Sequence, residues 1–150
     1  MLRAIFAHLL QSKFPQRVLT TLAFGTFIYL GVSGISDAIQ LLINPAFSAS
    51  MLDMSASSVR VRAAVLFSLN TGIIVGGSAT ILGIWQSTRL VYGWAVIALM
   101  YVGLGGYQII DGLFERGRLA FTLTGLAYLA LAAVAYHFGR RAIHVATSGR

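Results

Sequence analysis

Apolar residues in this chain run in four long blocks separated by short polar or turn-forming stretches, and none of them alternates with the period of two that a strand requires. From about Arg17 to Ile43 nearly every residue is apolar or small, until Asn44-Pro45 stops a helix. A second block covers residues 62–85, a third 89–114 and a fourth 119–138, linked by Gln86-Ser87-Thr88 and by Glu115-Arg116-Gly117-Arg118. Each block can cross a hydrocarbon core of about 30 Å, for which about 20 helical residues suffice. Short links force consecutive helices to run antiparallel. The pattern therefore predicts an all-α protein, a polytopic up-down four-helix transmembrane bundle over residues 17–138.

The flanks read differently. Within residues 1–16, Leu2, Ile5, Phe6 and Leu9 fall at helical spacing with His8 and Gln11 opposite, which predicts a short interfacial helix ahead of the break at Pro15. No clean small-residue cleavage site follows it, so a cleaved signal peptide is not expected. Between the first two spans, Phe47, Met51 and Met54 recur at four and three residues and suggest a short amphipathic piece on the outer surface. Residues 139–150, opening Gly139-Arg140-Arg141, read as a basic cytoplasmic tail.

Composition sharpens the membrane reading, since 57% of residues are hydrophobic and only 10% charged, where a soluble domain carries about a quarter charged. The absence of cysteine removes disulfides, thiol nucleophiles, Cys-based zinc sites and dithiol redox relays. The net charge of +7 comes from cations at the ends of the apolar blocks, which fits a membrane surface and not nucleic acid. Arg3, Lys13, Arg17, Arg89, Arg140, Arg141 and Arg150 fall on one side, and Arg60, Arg62, Arg116 and Arg118 on the other. That asymmetry predicts both termini in the cytoplasm, with Arg17, Arg140 and Arg141 meeting anionic lipid headgroups.

Small residues mark the packing faces. Ser68, Gly72, Gly76 and Thr80 repeat every four residues in the second span, and Gly103 and Gly106 lie in the third, as expected where helix backbones approach closely in lipid. The pattern Tyr-x-Gly-x-small-Gly occurs twice, at Tyr29–Gly34 and Tyr101–Gly106, each time followed by an aspartate, Asp37 or Asp111. One expectation places these carboxylates at headgroup level, paired with Arg60, Arg62, Arg116 or Arg118. The other makes Asp37, Gln40, Gln108 and Asp111 an outward-facing polar pocket, since an ionisable residue within a span is by default a functional one. Asn70 is expected to hydrogen-bond across helices, and the two tyrosines to face each other or a cavity.

No catalytic constellation can be assembled, and His8, His137 and His144 lie outside the span centres, where a tetrapyrrole would need an imidazole. No enzyme activity, metal or cofactor is expected. The glycine-rich first helix ending at Asn44-Pro45, Arg60-x-Arg62 before a helix with Gly72, Gly76 and Gly77, and Val102-Gly103-Leu104-Gly105-Gly106 together resemble the DoxX-like group of small bacterial four-helix membrane proteins. The resemblance implies an inner-membrane bundle, sometimes an accessory subunit of a respiratory or oxidoreductase system, and carries over no site residue. The leading functional expectation is an accessory or scaffolding protein packing against other membrane subunits or copies of itself. The alternative is a small transporter or ligand-binding protein using Asp37 and Asp111.

Overall fold

A computed structural model describes residues 13–52, 55–115 and 119–147. The expected interfacial helix, Asp53, Arg116, Arg118 and the last three residues lie outside these. Among the described residues five α-helices follow in order: α1 (Lys13–Ile43), α2 (Pro45–Leu52), α3 (Ala56–Gln86), α4 (Gly93–Ile110) and α5 (Leu119–Thr147). A 3₁₀ turn, Arg89–Tyr92, leads into α4, and a π-helical turn, Asp111–Glu115, extends it. Four helical segments among the described residues are long and apolar enough to cross a membrane, Phe14–Ile43, Ala56–Gln86, Arg89–Leu113 and Leu119–Thr147, and the chain is a multi-pass membrane protein. Large apolar side chains such as Leu22, Val75, Leu99 and Leu126 point outward along all four, as a lipid-facing belt requires.

Pro15 sits in the first turn of α1, where its missing N–H breaks no helical bond. At the other end of α1, Asn44-Pro45 separates it from α2. The start of α3 differs from the hydropathy boundary: Ser55 caps it, its side chain accepting from the Ser58 N–H, so the helix begins at Ala56 and not near residue 62. Arg62 is therefore nearly two turns inside the helix, about 9 Å from its first residue. Similarly, α5 continues beyond Phe138 to Thr147, so the expected basic tail is helical for most of its length. Nothing in Gly139-Arg140-Arg141 breaks a helix, and Gly139 lets α5 lie directly against the Trp94 ring.

Helix α1 packs mainly on α3, α5 packs mainly on α4, and the α3–α4 contact joins the two pairs. Phe24, Phe27, Ile73, Ile97, Tyr101 and Leu104 form the centre of the core. The α3–α4 hairpin is closed by backbone contact. Ser87, with φ 53°, ends α3 in the left-handed conformation, and the Thr88 N–H donates to the Gly83 carbonyl. A Cβ at Gly83 would meet the backbone of Val91, so only glycine fits there. Two turns earlier, a Cβ at Gly76 would lie 2.7 Å from the Gly93 carbonyl oxygen.

The four-spaced face of α3 is thus occupied by the chain itself. Gly72 faces Met100, Gly76 faces Gly93 and Ile97, and Thr80 is fully buried with its hydroxyl donating to the Gly76 carbonyl. Ser68 is exposed, because a row of four-residue steps gains about 40° per step and winds off the contact face within a few turns. Gly103 and Gly106 are not close-packing positions: Gly103 is exposed, and nothing lies within 4 Å of a Cβ at Gly106. Gly105 takes that role, pressed against Leu129 and the Gly125 backbone of α5.

Candidate functional site

At the end of the bundle where α1 stops and α3 begins, two long helices carry charge inward. Arg62 of α3 is 6% exposed and Asp111, at the start of the π turn after α4, is 3% exposed. The guanidinium Nη1 donates to Asp111 Oδ2 at 2.6 Å, and Nη2 donates to Gln108 Oε1 at 3.2 Å. Gln108 and Asp111 are one helical turn apart, so they present acceptors side by side to one guanidinium plane. The Phe121 ring of α5 lies 4.8 Å from the Arg62 Cζ, and Tyr107 lies 5.8 Å from it, which encloses the cation between the pair and two aromatic faces.

Asp111 therefore does pair with Arg62, and the pair is buried between the helices. The hydropathy boundary near residue 62 hid this, since it put the arginine at the mouth of the helix. Once the Ser55 cap starts α3 two turns earlier, Arg62 comes level with Asp111.

Arg62 forms one wall of a cavity of about 560 Å³ between α1, α2, α3 and α4. Its polar lining includes Asp37 and Gln40 from α1, Asn70 from α3, Gln108 from α4 and Tyr128 from α5. Apolar surface comes from Leu41 and Ile43 at the end of α1, and from Phe47 and Leu52 on α2. Asp37, Gln40 and Gln108 are thus brought to one space, while Asp111 stands behind Arg62 and reaches it only through the guanidinium. Arg62, Asn70 and Tyr128 were not among the expected pocket residues. In the sequence Arg62 is only one of four arginines able to pair with the aspartates, and Tyr128 comes from the span with no polar pattern of its own.

Comparison with family models, curated proteins and solved structures returns no match for the chain. The site therefore has to be understood from its own chemistry.

The two aspartates are not equivalent, despite the repeated motif that precedes them. Asp37 is exposed, and among the described residues it has neither a hydrogen bond nor an ion pair. The tyrosines differ in the same way. Tyr101 is 1% exposed, stacked on Tyr128 at 6.0 Å and against Phe27 at 5.8 Å, whereas Tyr29 is 71% exposed and faces away from the bundle. Neither tyrosine meets the other. Asn70 also departs from expectation: its Nδ2 donates to the Leu66 carbonyl of its own helix, not across helices. Its amide sits directly on Gly34, where a Cβ would overlap it, so Gly34 is what lets α1 approach α3 beside the cavity.

The electrostatic result is simple. Arg62 and Asp111 cancel each other, and Gln108 shares the cation, so the unpaired Asp37 sets the charge of the cavity. A guanidinium has five N–H donors, of which Asp111 and Gln108 take two. The space offers a carboxylate, hydrogen-bonding groups on the opposite wall, and an apolar rim on α2.

Proposed function

We propose that this protein binds a small amphipathic ligand bearing a positive charge, in the cavity between Asp37 and Arg62, and acts as a binding or transport protein of the membrane. The observation that carries the reading is Asp37: a carboxylate without a partner among the described residues, in a cavity whose only other ionised wall group, Arg62, is neutralised from behind. An amine would pair with Asp37, its acceptors would meet Arg62 and Asn70, and its apolar part would lie along Phe47 and Leu52. An intramembrane carboxylate in a water-accessible space is the usual device for such recognition.

The membrane in question is, on this reading, a bacterial inner membrane with both termini in the cytoplasm and the cavity opening outward. The position of Arg62 inside α3, not in a loop, supports that orientation, because it leaves Arg60, Arg116 and Arg118 against the seven cations of the other side. The accessory-subunit reading rested on a surplus of small-residue surface, and Gly72 and Gly76 are filled by the chain's own α4. A docked membrane subunit or a second copy is therefore not needed to account for them.

The test is native mass spectrometry of the protein extracted from its membranes into lipid nanodiscs. We expect a monomer or small homo-oligomer carrying a small-molecule adduct, and Asp37→Asn should lose the adduct while keeping its oligomeric state. Recovery with stoichiometric foreign subunits and no adduct would overturn this reading in favour of a scaffold.

A further inference from the structure

Asp37 and Asp111 belong to the end of the bundle that holds the cavity. The opposite end carries Arg17, Arg89, Arg140 and Arg141, and among the described residues no acidic side chain meets them. Among the described residues, none of these arginines has an ion-pair partner, and the Arg17 Nε is buried without a hydrogen bond. Among the described residues no acidic side chain neutralises this end, which leaves it able to receive an anion from outside.

The geometry provides a place for one. A groove of about 220 Å³ runs between the first turns of α1 and the last turns of α5. Gln16 and Thr20 line it from α1, Arg141 and His144 from α5, and its floor is apolar, formed by Leu19, Phe138 and Val145. The Arg141 guanidinium carbon lies 5.9 Å from the Phe138 ring, which holds the cation over the groove. A wider basin on the outer side of α5 shares Arg141 and His144 with the groove and adds His137 and Arg140. Arg141 and His144 are three residues apart and project together, whereas Arg140 belongs to the basin alone.

We propose that this groove is a site for one anionic phospholipid, its phosphodiester bound by Arg141, His144 and Gln16 and its chains laid along Leu19 and Leu22. Charge complementarity requires the anion, and the apolar floor selects a lipid over a soluble phosphate. Basic pockets between transmembrane helices on the cytoplasmic side are built for this chemistry. The site lies at the opposite end from the Asp37 cavity and does not depend on the function assigned there.

The full chain, purified in a neutral detergent, would be titrated with phosphatidylglycerol, phosphatidylcholine or inorganic phosphate and observed by native mass spectrometry. Phosphatidylglycerol should bind at one molecule per chain before any weaker binding, phosphatidylcholine and inorganic phosphate should not. Arg141→Gln should weaken that first binding about tenfold or more, as loss of a charged hydrogen bond would. Arg140→Gln, an equal loss of charge on a neighbour that is also exposed, should weaken it about fivefold or less. Equal losses in the two variants would reduce the effect to diffuse surface charge and overturn the proposal. Saturable binding of inorganic phosphate alone would overturn the assignment to a lipid.

Discussion

Replacing Arg62 by methionine tests the buried ion pair directly. The substitution keeps the length and apolar stem of the side chain, so the packing against Phe121 is largely retained, but it takes the arginine of the ion pair from Asp111, which is 3% exposed. Breaking a buried pair by removing one partner costs about 3–5 kcal/mol, because the remaining charge is left without compensation. An exposed pair would cost about 1 kcal/mol or less. The companion substitution Asp111→Leu takes the carboxylate from Arg62 in the same way. The double variant removes both charges and should recover most of the loss, since apolar replacement of a whole buried pair is often neutral. Unfolding in mixed micelles titrated with dodecyl sulfate, followed by helical circular dichroism, gives all four stabilities of the cycle. The reasoning predicts a coupling energy of at least about 2 kcal/mol between the two sites. Single variants that each lose under 1 kcal/mol, or a double variant whose loss equals the sum of the singles, would refute it.

Other consequences follow from individual contacts. Gly34→Ala should cost about 1–3 kcal/mol through overlap with the Asn70 amide, and Asn70→Ala in the same chain should restore most of it, read by the same unfolding assay. Gly76→Leu should prevent α3 and α4 from closing and lower the yield of folded protein, whereas Gly106→Leu should change neither fold nor native mass, since nothing approaches that position. A change of complex size in Gly106→Leu would reveal a partner on that face. Asp37→Asn and Arg141→Gln should each lose a different bound molecule and leave the other in place.

The four spans were legible because lipid demands long uninterrupted apolar runs, and Asn44-Pro45 and Gln86-Ser87-Thr88 punctuate them in the sequence as they do in the fold. The meeting of Asp37, Gln40 and Gln108 could also be anticipated, since parallel helices bring corresponding depths together. What could not be read was depth at the start of α3. Its first turn, Ala56-Ser57-Ser58-Val59, is too weakly apolar to register as part of a span, so Arg62 looked like a boundary residue. The repeated Tyr-x-Gly-x-small-Gly motif misled for a related reason. Sequence records the spacing of Tyr29 and Tyr101 but not the rotation of each helix about its axis, and α1 turns its tyrosine outward while α4 turns its tyrosine in. Likewise, Gly105 and Gly103 differ by two residues and face opposite ways.

The pairing of Arg62 with Asp111 spans 49 positions of sequence, and a chain made from its N-terminus delivers the cation first. While α3 is entering the bilayer and α4 is still being synthesised, the permanent counter-ion does not yet exist. A lone arginine within a span costs about 2.5–3.5 kcal/mol at the helix centre and less near its end. Asp37 has by then already been inserted, in the helix that packs against α3, and it borders the same space. Asp37 is thus the carboxylate that precedes Arg62 in synthesis, and Asp111, its partner in the finished fold, the one that follows it.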